Sequence, residues 1–360
     1  MGLGRGAVAA LDPGFWRGKR VLLTGHTGFK GSWAAIWLNA LGAEVTGLAL
    51  APDQDPNLFE LAAVADLTRS LIADLRDPVA VERALSGHSF DLVLHMAAQP
   101  LVRAAVADPV ATFASNVMGT VHLLQVLRSQ TDLAAILAIT SDKVYANAET
   151  GRAFAEGDPL GGKDPYSASK AATEIAVQSF AKSYFEPRGV PLATARGGNV
   201  IGGGDFSADR IVADIVRAAR SQQPVVLRHP EATRPWQHVL DCVAGYLIYL
   251  QALAADPATP RAMNFGPRPG GRDVTVGELA TLGVEALGAQ RWRHEPDPAS
   301  LEARSLAIDA GLARRTLGFE SRYDAPQAVA LTMDWYRRQA NAEDALALCR
   351  RQIVDYDPGA

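Results

Sequence analysis

Lys19-Arg20-Val21-Leu22-Leu23-Thr24, running into Gly25-His26-Thr27-Gly28-Phe29-Lys30-Gly31, is the stretch from which the rest of the chain is read. Its first six residues have the character of a short buried strand: apolar, β-branched at the head, and bounded by Gly18 and Gly25. After the glycines, Trp33, Ile36, Trp37, Leu38 and Leu41 recur at helical spacing. Strand, glycine-rich turn and helix N-terminus together form a cradle for the pyrophosphate of a dinucleotide. Small residues let the backbone approach, and free N–H groups and the helix dipole meet the anion. The spacing is G-x-x-G-x-x-G. In a chain with 32 glycines a triplet alone says little, and its place between strand and helix gives it weight.

Outward from the cradle, strand-like runs fall at 44–50, 70–73, 92–97, 135–140 and 191–195, separated by helical patterns at 32–41, 79–85, 110–128 and 166–184. Alternation of this kind predicts an α/β fold with a doubly wound, mainly parallel sheet whose ligands lie at the carboxyl ends of the strands. The alternation breaks after residue 197, where Gly202-Gly203-Gly204 reads as a hinge-like loop and short mixed elements follow. Residues 1–14 read as a loose tail. His238 and Asp241 stand at a helix start and are assigned capping or packing, not function.

A second pair of stretches carries chemistry. Thr140-Ser141-Asp142-Lys143-Val144-Tyr145 follows the strand at 135–140, and Tyr166-Ser167-Ala168-Ser169-Lys170 follows Asp164 and Pro165, an N-cap and a first helical residue. Tyr166 and Lys170 then share one helix face, with Cβ atoms roughly 5–6 Å apart. A phenol with a pKa of about 10 is a poor base at neutral pH. An ammonium about 4 Å away contributes about 4 kcal/mol at an effective dielectric constant near 20, roughly three pKa units. Taken alone, Y-x-x-x-K reads as an exposed helical pair, and it is the cradle at the chain's start that turns the reading toward chemistry.

Composition agrees with an enzyme that handles small molecules. The 360 residues suffice for one large or two modest domains. Charged residues make up 21%, apolar ones 48%, and the net charge is -4, which gives no reason to expect nucleic-acid or membrane binding. Cys242 and Cys349 lack metal spacing, so no metal is expected, and two reduced thiols in a cytoplasmic protein is the plain reading. No apolar stretch is read as reaching the roughly 18 residues of a membrane span.

With these residues in hand, the chain resembles the extended short-chain dehydrogenase/reductase family of nucleotide-sugar-modifying enzymes. The strings Thr24-Gly25-His26-Thr27-Gly28-Phe29-Lys30-Gly31-Ser32-Trp33, Ala97-Ala98-Gln99-Pro100-Leu101-Val102-Arg103 and Ser141-Asp142-Lys143 make it similar, within that family, to the CDP-glucose 4,6-dehydratase branch. The likeness runs from about 15 to about 336. It implies an NAD-binding Rossmann domain over 15–197, with 239–262 packing back on it. A smaller mixed α/β substrate-binding lobe is implied over 198–238 and 263–338, and the resemblance allows a homodimer paired through the helices at 110–128 and 166–184.

The cofactor implied is NAD. Gly25, Thr27, Gly28, Phe29, Lys30 and Gly31 would hold the pyrophosphate; Asp74, Leu75, Ala97, Ala98, Gln99, Asn116, Thr140, Tyr166 and Lys170 would make the remaining contacts. The residues alone leave NAD and NADP open, because Asp53 is a displaced acid after the second strand and Lys30 could attract a phosphate. For catalysis the resemblance implies Tyr166 as base toward the sugar 4-hydroxyl, Lys170 as its cation and ribose contact, and Ser141 as hydrogen-bond partner of the same oxygen. Asp142 as acid and Lys143 as base would then eliminate water across carbons 5 and 6. Asn199, Arg210 and Arg234 are expected at the substrate diphosphate, where the planar guanidinium fork binds two oxygens at once, with Asn264 a weaker contact. An epimerase or reductase of the same superfamily, a dehydratase for another nucleotide sugar, and a non-catalytic dinucleotide sensor remain alternatives. Two departures from the relatives bear on the pocket: Gly197 where alanine is expected, and Leu301-Glu302-Ala303 where histidine more often precedes Glu-Ala.

Overall fold

The computed structural model describes residues 10–268, 274–296, 306–357 and 359. Apolar, largely buried segments pair in parallel to make one seven-stranded sheet. Its strands are β1 (Arg20–Thr24), β2 (Glu44–Ala49), β3 (Arg69–Ile72), β4 (Leu92–His95), β5 (Ala135–Ile139), β6 (Leu192–Gly197) and, after β7 (Val200–Ile201), β8 (Val226–Leu227) and β9 (Gln237–His238), β10 (Ala262–Phe265). The order is β10-β6-β5-β4-β1-β2-β3, so the chain winds one way from β1 to β3 and the other way from β4 to β10. The reversal falls between β1 and β4, and a doubly wound sheet opens its ligand crevice at the carboxyl edge there. β7 pairs with β9, and β8 with β11 (Arg293–His294), as two small outlying pairs.

The doubly wound expectation holds, with one reassignment. β10, expected in the smaller lobe, is the sheet's seventh strand and pairs with β6 from Ala262↔Thr194 to Phe265↔Gly197. The helix Val239–Ala255 packs against the helix Phe29–Ala40 and β5 and is buried over most of its length. It delivers the chain to the sheet edge, and four residues are too few for periodicity to reveal.

Other expectations change. Of the loose tail at 1–14, residues 1–9 lie outside the described residues. The remainder is docked: Leu11 is buried, Asp12 caps the turn Pro13–Trp16, and Asp12 N and Trp16 Nε1 both donate to Gln251 Oε1 at 3.1 Å. The loop Gly202-Gly203-Gly204 is crowded instead of hinge-like. A Cβ on Gly203 would lie 2.1 Å from Trp335 Cγ, and Trp33 Nε1 donates to Gly203 O at 2.9 Å. A continuous helix at 109–127, 19 residues with a π turn at Ala114–Met118, is long and apolar enough by length and composition to cross a membrane, contrary to the sequence reading. It packs along the helix Pro165–Phe180, and His122 Nδ1 donates to Leu75 O at 2.9 Å. Asp241 is buried and accepts from Arg322 N and the Tyr356 hydroxyl, and His238 caps its helix, both as expected. Burial raises Asp241 to about 6, with these hydrogen bonds opposing it.

Candidate active site

The cradle turn is built by sterics. Gly25 sits at φ +79°, and a Cβ there would lie 2.8 Å from Ala97 N. A Cβ on Gly31 would come within 2.0 Å of Gly25 O, so the helix Phe29–Ala40 packs against the turn only with glycine there. Gly28 differs: its nearest neighbour would be 3.4 Å away, so the protein itself leaves room above it. Gly28 caps the helix without a side chain, and no acidic residue stands in the first turn, so the terminal N–H groups face outward uncompensated. That arrangement fits a dinucleotide pyrophosphate. Phe29 and Lys30 continue from the turn into the cleft wall.

Two residues that the sequence reading passed over hold the turn. His26 is fully buried, its Nε2 lies 2.7 Å from Ser70 Oγ, and its ring occupies the space that a Cβ on Gly47 would fill at 2.3 Å. Burial pushes it down to about 4, so it is a neutral pin. A glycine inside strand β2 was the available signal of close approach. His95 closes a relay: Thr120 Oγ1 donates to Asn116 O at 2.7 Å, so it accepts from His95 Nε2 at 2.9 Å, and His95 Nδ1 accepts from Thr24 Oγ1 at 2.7 Å. Thr24 Oγ1 in turn accepts from Met96 N and Ala97 N. The histidine is held neutral, pushed down to about 3 by burial and then by Lys170.

Several expected cofactor residues turn out to organise the cleft. Asn116 has its whole amide engaged: Oδ1 accepts from Gln99 N at 2.7 Å, and Nδ2 donates to Gln99 O at 3.1 Å and Ser169 Oγ at 2.9 Å. Gln99 is equally tied, to Leu101 and Thr112. Thr27 Oγ1 donates to Leu50 O at 2.9 Å, leaving only its backbone for an anion. Asp74 is paired with Arg76 at 2.6 Å, which holds its carboxyl below the usual range. Leu75 is buried beneath Gly119, and Ala97 and Ala98 form the half-buried loop after β4.

At the carboxyl edge a cleft of about 310 Å³ brings together Lys30, Thr140, Ser141, Asp142, Lys143, Tyr166, Asn199, Arg210 and Arg234. The helix Pro165–Phe180 starts as expected: Asp164 accepts from Ser167 N at 3.0 Å, and Pro165 is the first helical residue. Tyr166 lies beside Ser141, whose hydroxyl favours the ionised phenol. Ser141 Oγ also donates to Asp142 Oδ1 at 3.0 Å, and Lys143 Nζ donates to Asp142 Oδ1 at 3.2 Å and Asn199 Oδ1 at 3.3 Å. Asp142 is 1% exposed, yet its Oδ2 has no partner. A Cβ on Gly198 would sit 3.3 Å from that oxygen.

The electrostatics correct the expectation for Tyr166. Burial pushes the phenol up, opposed by the Ser141 hydroxyl and the Arg210 charge. Lys170 donates to Ile139 O at 3.1 Å and is itself pushed down to about 7 by burial and then by Lys30, with Glu174 opposing. The sequence estimate counted Coulomb attraction and left out desolvation, which acts on both groups.

Among the expected substrate residues, Asn199 positions Lys143, Arg210 opens the helix Ile211–Ser221 with Nη2 on Pro100 O at 3.2 Å, and Arg234 donates to Thr233 O at 2.8 Å. Asn264 is corrected. It is fully buried, accepts from the Tyr145 hydroxyl at 2.6 Å and donates to Phe154 O and Asp309 O, so no atom of its amide is left for a ligand. Arg103 and Arg228 were missed; both line the cleft and meet Asp209, at 3.2 and 3.4 Å. Leu301-Glu302-Ala303 lies outside the described residues.

With this geometry established, comparison with known proteins is direct. Residues 21–266 match the model of the NAD dependent epimerase/dehydratase family. The chain belongs to that family. It is 40% identical over 355 residues to the CDP-glucose 4,6-dehydratase of Salmonella typhimurium, covering 96% of this chain and 98% of that one. It is 29% identical to a dTDP-glucose 4,6-dehydratase of Xanthomonas campestris pv. campestris, covering 88% and 92%. The fold matches a UDP-glucose 4-epimerase of Thermus thermophilus solved as a complex with NAD, with TM-score 0.75 and 26% identity over 88% of this chain and 99% of that one.

Proposed function

We propose that this family member is an NAD-dependent nucleotide-sugar 4,6-dehydratase that converts CDP-glucose to CDP-4-keto-6-deoxyglucose and water. The observation that carries the reading is Ser141-Asp142-Lys143 meeting Tyr166 in one cleft, with a buried carboxylate oxygen of Asp142 left unpaired. Likeness over nearly the full chain to a CDP-glucose 4,6-dehydratase supports the nucleotide.

NAD, which the glycine turn 25–31 would hold, would supply the hydride acceptor for sugar carbon 4 and the donor for carbon 6. Tyr166, as the phenolate that Ser141 and Arg210 favour against burial, takes the proton of the 4-hydroxyl, and Ser141 holds the same oxygen so that the bond breaks in one orientation. The ketone acidifies carbon 5. Lys143 is placed to remove that proton and to return it to carbon 5 when the hydride reaches carbon 6, and Asp142 is placed to deliver a proton to the departing 6-hydroxyl as water. Arg210 and Arg234 face the diphosphate. Purified protein incubated with NAD and each of the CDP-, dTDP-, UDP- and GDP-hexoses, and followed by mass spectrometry, is expected to remove one water from the CDP sugar. A product of unchanged mass refutes the dehydratase reading in favour of an epimerase.

A homodimer is part of this proposal. Val110, Phe113, Met118, Ile175 and Tyr184 are exposed on the two long neighbouring helices, an apolar surface that a second copy would cover. Ile175→Glu is expected to yield monomers by light scattering. The unpaired Cys242 and Cys349 support a cytoplasmic setting.

A further inference from the structure

Three residues on one face of the helix Pro165–Phe180, spaced four apart, each face one residue of the same strand end, and the second and third hold theirs by hydrogen bonds. Tyr166 meets the Ser141 hydroxyl, Lys170 Nζ donates to Ile139 O at 3.1 Å, and Glu174 Oε1 accepts from Thr140 Oγ1 at 2.5 Å. The Glu174 carboxylate is fully buried and accepts three more hydrogen bonds: from Thr194 Oγ1 at 2.7 Å, Arg196 Nε at 2.9 Å and Arg196 Nη2 at 2.8 Å. Arg196, only 2% exposed, reaches on with Nη1 to the Tyr145 hydroxyl at 2.9 Å and Glu156 O at 3.0 Å. One carboxylate therefore ties down both ends of the segment 140–145, Thr140 directly and Tyr145 through Arg196. Between those two anchors lie Ser141, Asp142 and Lys143.

We propose that Glu174 is a positioning residue of the active site. It registers the segment 140–145 against Tyr166 and supplies the negative charge that faces Lys170 one helical turn away. A buried ion pair adds little stability over an apolar pair of equal volume, whereas its charge acts strongly on buried neighbours. The groups facing Lys170 are Tyr166 and Glu174 from its own helix, Lys30 from the cradle helix and the neutral His95 from β4, with Arg196 behind Glu174. Of the charged groups acting on Lys170, Lys30 opposes its ionisation and Glu174 favours it.

The test uses the full chain with NAD bound and reads Lys170 directly, from the pH titration of its 13Cε signal in lysine-labelled protein. Glu174→Gln keeps the shape and removes the charge, so the Lys170 midpoint is expected to fall by about one pH unit, and the alkaline limb of turnover with it. Because Glu174→Gln leaves Arg196 unpaired, Glu174→Gln with Arg196→Gln is made alongside and is expected to shift the midpoint in the same direction, by less. Glu174→Asp keeps the charge and loosens the tether; it is expected to leave the midpoint in place and lower kcat about tenfold at unchanged KM. A folded Glu174→Gln protein with an unmoved Lys170 midpoint overturns the proposal. Only the turnover readout rests on the dehydratase reading, so a wild-type protein that removes water from no nucleotide sugar refutes that reading while the titration still decides the role of Glu174.

Discussion

Gly197→Ala is the perturbation that most sharply tests the packing beneath the cleft. A Cβ at residue 197 would lie 2.3 Å from the Tyr246 hydroxyl and 3.4 Å from both Tyr246 Cζ and Cys242 Sγ. The first contact is more than an ångström too close and the other two are ordinary, so the conflict is with one oxygen atom. That oxygen cannot swing away. Tyr246 is fully buried on the helix Val239–Ala255, and its ring is held edge-on to Phe265 at 5.6 Å. Overpacking of a rigid core costs about 1–3 kcal/mol, and we expect Gly197→Ala at the upper end. Tyr246→Phe removes that oxygen, which is buried without a hydrogen-bond partner among the described residues, a change of about 1 kcal/mol or less. The double variant should therefore stand near Tyr246→Phe alone, a coupling of about 2 kcal/mol. Urea unfolding followed by tryptophan fluorescence on the four proteins reads that number. Costs that simply add would refute the argument, and the departure from alanine at 197 would then have another origin.

Other expectations follow from the site. Asp142→Asn is expected to oxidise carbon 4, seen as a rise in reduced-nicotinamide absorbance, and to eliminate water at least about a hundredfold more slowly, because the amide has no acidic proton to deliver; normal release of the 6-deoxy product would remove Asp142 from the mechanism. Lys170 is pushed down to about 7, below its unfolded value of about 10.4, so between these values the unfolded chain binds the extra proton and this group's contribution makes the native state more stable as pH rises. Lys170→Met should therefore be inactive, with a Tm advantage over wild type that is largest below about pH 7 and shrinks toward about pH 10; a difference independent of pH would show that Lys170 is not the group titrating. Asn264→Ala strands the Tyr145 hydroxyl and Asp309 O, while Phe154 O keeps its bond from Asp309 N, so it should lose about 2–4 kcal/mol of stability with KM for the nucleotide sugar within about twofold of wild type. A selective rise in KM without loss of stability would return Asn264 to the substrate.

What was legible in the sequence had local causes. The strand Arg20–Thr24, the glycine turn and the helix after it are set by side-chain period and by the room glycine leaves, and Asp164-Pro165 starts its helix by capping chemistry alone. The parallel winding follows from the alternation of such segments, whereas the meeting of Tyr166 with the Ser141 segment was implied by the family resemblance. Local pattern could not reveal the role of His26, because the space it fills belongs to Gly47, 21 positions away. Nor could it tell that the amides of Asn264 and Asn116 are engaged by loop and helix residues distant in sequence. The charge state of Tyr166 and Lys170 is the deepest case. Their spacing is a property of the sequence, but their ionisation is set by how much water the surrounding sheet removes and by Lys30 and Glu174, which only folding brings to them. Helical period decides which residues share a face; tertiary burial decides what those residues can do with a proton.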